Sequence, residues 1–163
     1  IIDAIKDRKK LFVDLDFIFI LFLMIIDETD NLEYFLYKYN ISKKDQKRAH
    51  AINNFYNKKN GSKTLNEVNL NKVLYYDGKQ AVLDILNFKI IKTKKVDKNL
   101  LNLLELYKNK TAPSLPVGAD LLMIRYKIPE GRQLGSMLKL IEEEWIKNNF
   151  KISDKQIDNI VKG

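Results

Sequence analysis

Three groups of residues in this chain have types and spacings suited to chemistry. The first is Asp14-x-Asp16, two carboxylates at the spacing used in metal-ion nucleotidyl transfer. In such sites the pair lies on a strand behind a Gly-Ser phosphate loop, and a third carboxylate completes the ion pair. No such loop precedes the pair here. It therefore reads as a helix start, with acidic groups at the positive end of the helix dipole. The second candidate is His50, in "KKDQKRAHAI". It is the only histidine, so no second imidazole can share a metal, and it reads as a solvated position on a surface helix. A His-Asp metallophosphohydrolase is excluded. The absence of cysteine removes disulfides, zinc knuckles and thiol catalysis, and is compatible with a reducing cytosol.

The third group is the stretch "SLPVGADLLMIRYKIPEGRQLGSMLKLIEEEWI", residues 114–146, which holds three of the six glycines and two of the three prolines. Its spacing predicts two helices hinged at a tight turn. Asp120 is expected to cap "LLMIRY", with Leu121, Leu122 and Ile124 facing inward. Ile128-Pro129-Glu130-Gly131 forms the turn, and Gly131 supplies the permissive backbone that a tight link needs. The second helix starts near Arg132, and Gly135 in its first turn allows a close approach by the first helix or by a ligand backbone. Unpaired N–H groups at that helix start, aided by the dipole, suit a phosphate. Arg125, Lys127 and Arg132 around the turn add counter-charge. The bland alternative is a plain αα-hairpin whose glycines only permit packing. Spacing alone leaves both readings open.

Charge points the same way. Lys and Arg number 29 against 21 Asp and Glu, a net charge of +8 with a pI near 9.4. That sign favours polyanionic partners. A lysine-rich surface from a genome biased toward Lys, Asn and Ile codons has the same composition, and charge does not separate the two.

The elements that must position these residues read as helical throughout. At 163 residues the chain suits one compact domain or two small helical lobes, and it begins at Ile1, as a piece of something longer would. Ser42-x-x-Asp45, Thr64-x-x-Glu67 and Ser153-x-x-Gln156 each have capping-box spacing. Apolar residues recur at helical intervals, as in Leu32, Phe35, Leu36 and Tyr39; Ala49, Ile52 and Tyr56; Leu100, Leu103, Leu104 and Tyr107; and Leu134, Leu138, Ile141 and Trp145. The tyrosines and phenylalanines mostly follow this core spacing and are not read as base-stacking platforms. The uncharged run Phe17–Ile26 is ten residues, half the length of about twenty that a membrane span needs. It is expected to be a helix buried on most sides, at the centre of the fold. "FKIIKTKKV" reads as a helix end running into a basic loop, and breaks fall at "DETD", "NKKNGSK", "YYDGK", "KTKKVD" and "KNKTAPSLP". The expected fold is all-α, with seven to nine short helices: a helical body over 1–110 and a tail over 111–163 that carries the hairpin.

The segment "GADLLMIRYKIPEGRQLGSMLKLIEEEWIKNNFKISDKQI" resembles the C-terminal region of the bacterial tRNA nucleotidyltransferase and poly(A) polymerase family, the CCA-adding enzymes, in its alphaproteobacterial and mitochondrial type. The residues that carry the likeness are Gly118, Asp120, Leu121, Pro129, Gly131, Gly135, Leu138, Glu143, Glu144, Trp145 and Phe150. The match covers about forty residues. A weaker echo lies in "DNLEYFLYKYNISKKDQKRAHAI", which resembles the family's body helices. The middle of the chain, from about Gly61 to Lys110, agrees only in being helical. Departures are Glu130 between the turn's Pro and Gly, and Tyr126-Lys127 where the family ends its first helix with a glycine.

The resemblance implies the family's body-and-tail half without its catalytic head, since no head motif is present: a cytoplasmic, helical, RNA-holding module. Its partner would be RNA, above all a tRNA acceptor stem and elbow held by shape through Arg125, Lys127, Gly131, Arg132 and Gly135. No catalytic residue, metal or cofactor is expected here. Magnesium and a nucleoside triphosphate belong to the family's head. Three other readings stay open: a helical interaction module that docks a separately encoded catalytic domain, a helix-hairpin-helix DNA binder, and a relic that keeps the fold without a present function. No membrane partner is expected.

Overall fold

The computed structural model describes residues 15–27, 29–56 and 64–162. Within them the chain is all-helical, with nine helices and no strand. In chain order they are α1 (Phe17–Ile25), α2 (Asn31–Lys38), α3 (Lys43–Tyr56), α4 (Glu67–Tyr76), α5 (Lys79–Lys92), α6 (Lys98–Asn109), α7 (Ala119–Tyr126), α8 (Arg132–Lys147) and α9 (Asp154–Lys162). Asp14 and the break "NKKNGSK" lie outside the described residues.

Several helix starts follow local chemistry. Asp16 caps α1, accepting from the Phe19 N–H at 2.7 Å, the helix-start role expected of it. Ser153 and Gln156 form a reciprocal capping box on α9: the Ser153 N–H donates to Gln156 Oε1, and the Gln156 N–H donates to Ser153 Oγ. Ser42 Oγ accepts from the Asp45 N–H at 3.2 Å before α3. The box expected at Thr64 is not made. Asn66 caps α4 instead, its side chain accepting from Asn69 N–H at 2.9 Å, because the helix starts two residues later than the Thr-x-x-Glu spacing implied. Gly78, at φ +91, turns the chain sharply between α4 and α5.

The central helix is α5, against which α3, α4 and α6 pack. Ala81, Val82, Ile85, Leu86, Ile90 and Ile91 are all buried, so it has no wide polar face, as befits a helix surrounded by others. The expectation that Phe17–Ile26 takes the centre is corrected. Helix α1 buries Phe19, Phe22 and Leu23, but Phe17 and Met24 face solvent among the described residues. A uniformly apolar run marks no outer face, so its sequence could not show which side the partners would leave open.

The polar groups at the core answer one another. Arg48, buried on α3, places Nε 2.6 Å from Asp84 Oδ2 on α5 and Nη1 2.7 Å from Asp16 Oδ2. Asp45 Oδ1 lies 3.1 Å from the same Nη1, and Gln80 donates to Asp84 Oδ1 at 3.0 Å. Burial alone would lower the Arg48 pKa, but its hydrogen bonds to Asp84 and Asp16 hold it above the ordinary value. Burial pushes the Asp84 carboxyl up, opposed by Arg48 and Gln80. At Asp16, the hydrogen bonds from Arg48 and Phe19 N–H outweigh partial burial and lower its pKa.

Apolar side chains form two clusters, one from Phe19 to Tyr107 and one from Val117 to Ile157. Helix α8 joins them by packing on α4. Trp145 is buried at this joint, edge-on to Tyr75 at 5.5 Å and to Phe150 at 5.0 Å. Tyr75 and Tyr76 each donate a hydroxyl to Glu142, one to each carboxylate oxygen. Beside them the Tyr107 hydroxyl donates to Asn71 Oδ1 at 2.7 Å, and Asn71 Nδ2 donates to Asn149 Oδ1 at 3.2 Å. Asn149 and Phe150 both have positive φ, at 57° and 63°. For a bulky Phe that conformation is strained, and here it turns the ring back onto Trp145.

Candidate nucleic-acid interface

The α7–α8 hairpin is built as a tight turn. Leu122, Ile128, Leu134 and Ile141 bury its inner side with Val117 and Ile157. Lys127 ends α7 in the left-handed conformation, φ 58°, where a glycine is the usual choice. Gly131 stands at the N-cap of α8 with φ 142° and ψ −162°, a region essentially closed to residues with a Cβ. It has no side chain to cap the helix, so the N–H groups of the first turn of α8 receive no side-chain cap.

Three details of the hairpin are corrected. Helix α7 starts at Ala119 with Gly118 as its N-cap, so Asp120 lies in the first turn and makes no cap. Only Leu122 of the expected inner face is buried; Leu121 is exposed and Ile124 is 72% exposed, because the short α7 meets α8 along a single stripe. Gly135 approaches nothing: a Cβ placed there would have no neighbour within 4 Å.

The basic residues of the turn divide. Lys127 and Arg132 are exposed and make no ion pair among the described residues. Glu130 is exposed between them in sequence and is likewise unpaired among the described residues. Arg125 is drawn away to α9: its Nη1 lies 2.9 Å from Asp154 Oδ1, its Nη2 3.7 Å from Asp158 Oδ1, and it stacks 5.3 Å over the Tyr126 ring. The hydrogen bond to Asp154 raises the Arg125 pKa. Tyr126 donates its hydroxyl to Asp158 in the same cluster. Arg125 thus acts first as a strap between α7 and α9.

The excess positive charge lies elsewhere. Residues 1–110 hold 21 Lys and Arg against 14 Asp and Glu, and residues 111–163 hold eight against seven. The densest exposed run is Lys89, Lys92, Lys94, Lys95 and Lys98, where α5 runs into the loop before α6 as the sequence predicted. His50 is half-exposed, with its Nδ1 3.3 Å from Glu33 Oε1. Among the described residues no cluster of three or more His, Asp or Glu side chains is placed to hold a metal, and no helix is long and apolar enough to cross a membrane.

The fold and this surface define an all-helical chain with a basic exterior and a tight C-terminal hairpin. No family model matches the chain, and neither a curated protein nor a solved structure is significantly similar to it.

Proposed function

We propose that the chain binds the sugar-phosphate backbone of structured RNA, tRNA above all, in the manner that its resemblance to the body-and-tail region of tRNA nucleotidyltransferase and poly(A) polymerase proteins implies. The observation that carries this reading is the first turn of α8. Gly131 leaves it without a side-chain cap, and Lys127 and Arg132 flank it, both solvent-exposed. Lys127 and Arg132 supply phosphate counter-charge, Gly131 gives access to backbone donors, and Arg125 positions the hairpin through Asp154. Lysines of residues 89–98 extend the contact. Such binding reads shape rather than sequence. No catalytic step is assigned to this chain.

The test is a salt titration of tRNA binding, run against duplex DNA of similar charge. If Lys127 and Arg132 each meet one phosphate, replacing both with Ala lowers the slope of log affinity against log salt by about 1.4–1.8. An unchanged slope rejects the hairpin as an RNA contact. Preference for duplex DNA would favour the helix-hairpin-helix DNA reading. A second reading has its own observation. Ile124 and Leu140 are exposed apolar residues on α7 and α8, a feature suited to a protein partner such as a separately encoded catalytic domain. There, Ile124→Glu would abolish docking and leave RNA affinity unchanged.

A further inference from the structure

Helix α2 buries Leu32 and Leu36 and turns three tyrosines outward. Tyr34 is 63% exposed, Tyr37 88% and Tyr39, the C-cap, 59%. Single exposed aromatics are ordinary, but three within six residues are a surface. The core spacing that placed Tyr39 inside is therefore corrected: its ring leans on Phe35 at 4.9 Å and leaves the rest to solvent. None of the three hydroxyls has a hydrogen-bond partner among the described residues. Lys38 sits among the rings, its Nζ 5.4 Å from the Tyr34 centroid and 5.6 Å from that of Tyr39.

The surface opens onto a hollow of about 600 Å³ lined by Tyr34, Leu36, Tyr37, Lys38, Asn40 and Gln46. Gln46 also borders a second hollow of about 350 Å³, lined in part by Lys43, Lys47, His50 and Asp77. The two hollows share Gln46, which sets Lys43 and Lys47 of α3 in the hollow beside the one that the rings border; Lys47 Nζ also donates to the Tyr76 carbonyl oxygen. Of the nearby carboxylates, Glu33 reaches His50, and Asp77 lies 3.9 Å from Lys47.

We propose that α2 is a stacking platform for unpaired bases of single-stranded nucleic acid, with Lys38 and the lysines of α3 following the phosphates. Aromatic rings bound to a cationic groove are what sequence-tolerant single-strand binding requires. Tyr34 and Tyr37, three residues apart on a helix, have Cβ atoms about 5–6 Å apart and can take neighbouring bases. The proposal rests on the same polyanion-binding reading as the hairpin, carried to different elements.

The test is fluorescence anisotropy of the whole chain with labelled oligoadenylate of about twelve nucleotides, as RNA and as DNA. Loss of a stacked base costs about fivefold to 150-fold in affinity. Tyr34→Ala with Tyr37→Ala should therefore weaken binding by at least about 25-fold, while Tyr34→Phe with Tyr37→Phe retains it. Circular dichroism should show both pairs folded, since the rings are outside the core. Equal binding of the two oligomers assigns the contact to the bases, and preference for RNA adds the 2′-hydroxyl; both support the platform. No binding by the wild-type chain overturns it, as does wild-type affinity in the Ala pair or equal loss in the Phe pair. Lys127→Ala with Arg132→Ala should weaken tRNA and leave oligoadenylate unaffected, so either site can fail alone.

Discussion

Removing Arg48 should be among the most damaging single changes in the body. Its side chain is 7% exposed and that of Asp84 is 2% exposed, so Arg48→Met leaves a carboxylate in the core with, among the described residues, only Gln80 hydrogen-bonded to it. Breaking a buried pair from one side costs about 3–5 kcal/mol. Asp16 adds little, since it is 46% exposed and water screens it. A domain of this kind has about 5–15 kcal/mol of stability in all. At about 2–4 °C per kcal/mol, the melting temperature should fall by about 6–20 °C. Thermal and urea unfolding followed by circular dichroism read this directly. Arg48→Met with Asp84→Leu should recover most of the loss, because no uncompensated charge remains. The pH dependence has a definite sign. In Arg48→Met the Asp84 pKa, already raised by burial, climbs further above its unfolded value. Its destabilising effect then shrinks as pH falls and the carboxyl takes up a proton. A loss below about 1 kcal/mol, the level of a surface ion pair, would refute the argument. So would a loss that does not shrink in acid.

Other outcomes follow from the joint and the hairpin. The hydrogen bond to Glu142, with lesser help from burial, pushes the Tyr76 phenol up to about 12. A raised phenol contributes stability that is complete below its unfolded value of about 10 and lost as pH climbs through about 12. Tyrosinate absorbance during an alkaline titration should show several late phenols, of which those of Tyr76 and Tyr75 move back toward about 10 in Glu142→Gln while those of Tyr56, Tyr107 and Tyr126 do not. Gly131→Ala, in a backbone region that excludes a Cβ, should cost about 1–3 kcal/mol in urea unfolding. Gly135→Ala should instead stabilise by about 0.5–1 kcal/mol, since the site is helical and open. Its tRNA affinity should stay at the wild-type level, and a fall would mean that a ligand backbone does approach there.

What the sequence by itself determined is what neighbours within a few residues decide. The all-helical class, the cap at Asp16 and the reciprocal box at Ser153 and Gln156 depend on hydrogen bonds closing over three or four positions, and the turn at Gly131 on the positive φ that a residue without a Cβ allows. Only the tertiary structure settled which charges meet. Arg48 finds Asp84 36 residues away, Tyr75 finds Glu142 67 away, and Arg125 leaves the hairpin for Asp154, 29 residues on. It also decided which face of a helix stays wet: α2 and the apolar α1 have spacing that fits a buried core, yet Tyr37 and Phe17 stand in solvent. A side chain's partners across the fold depend on how helices pack, and helical periodicity names a face without naming what covers it.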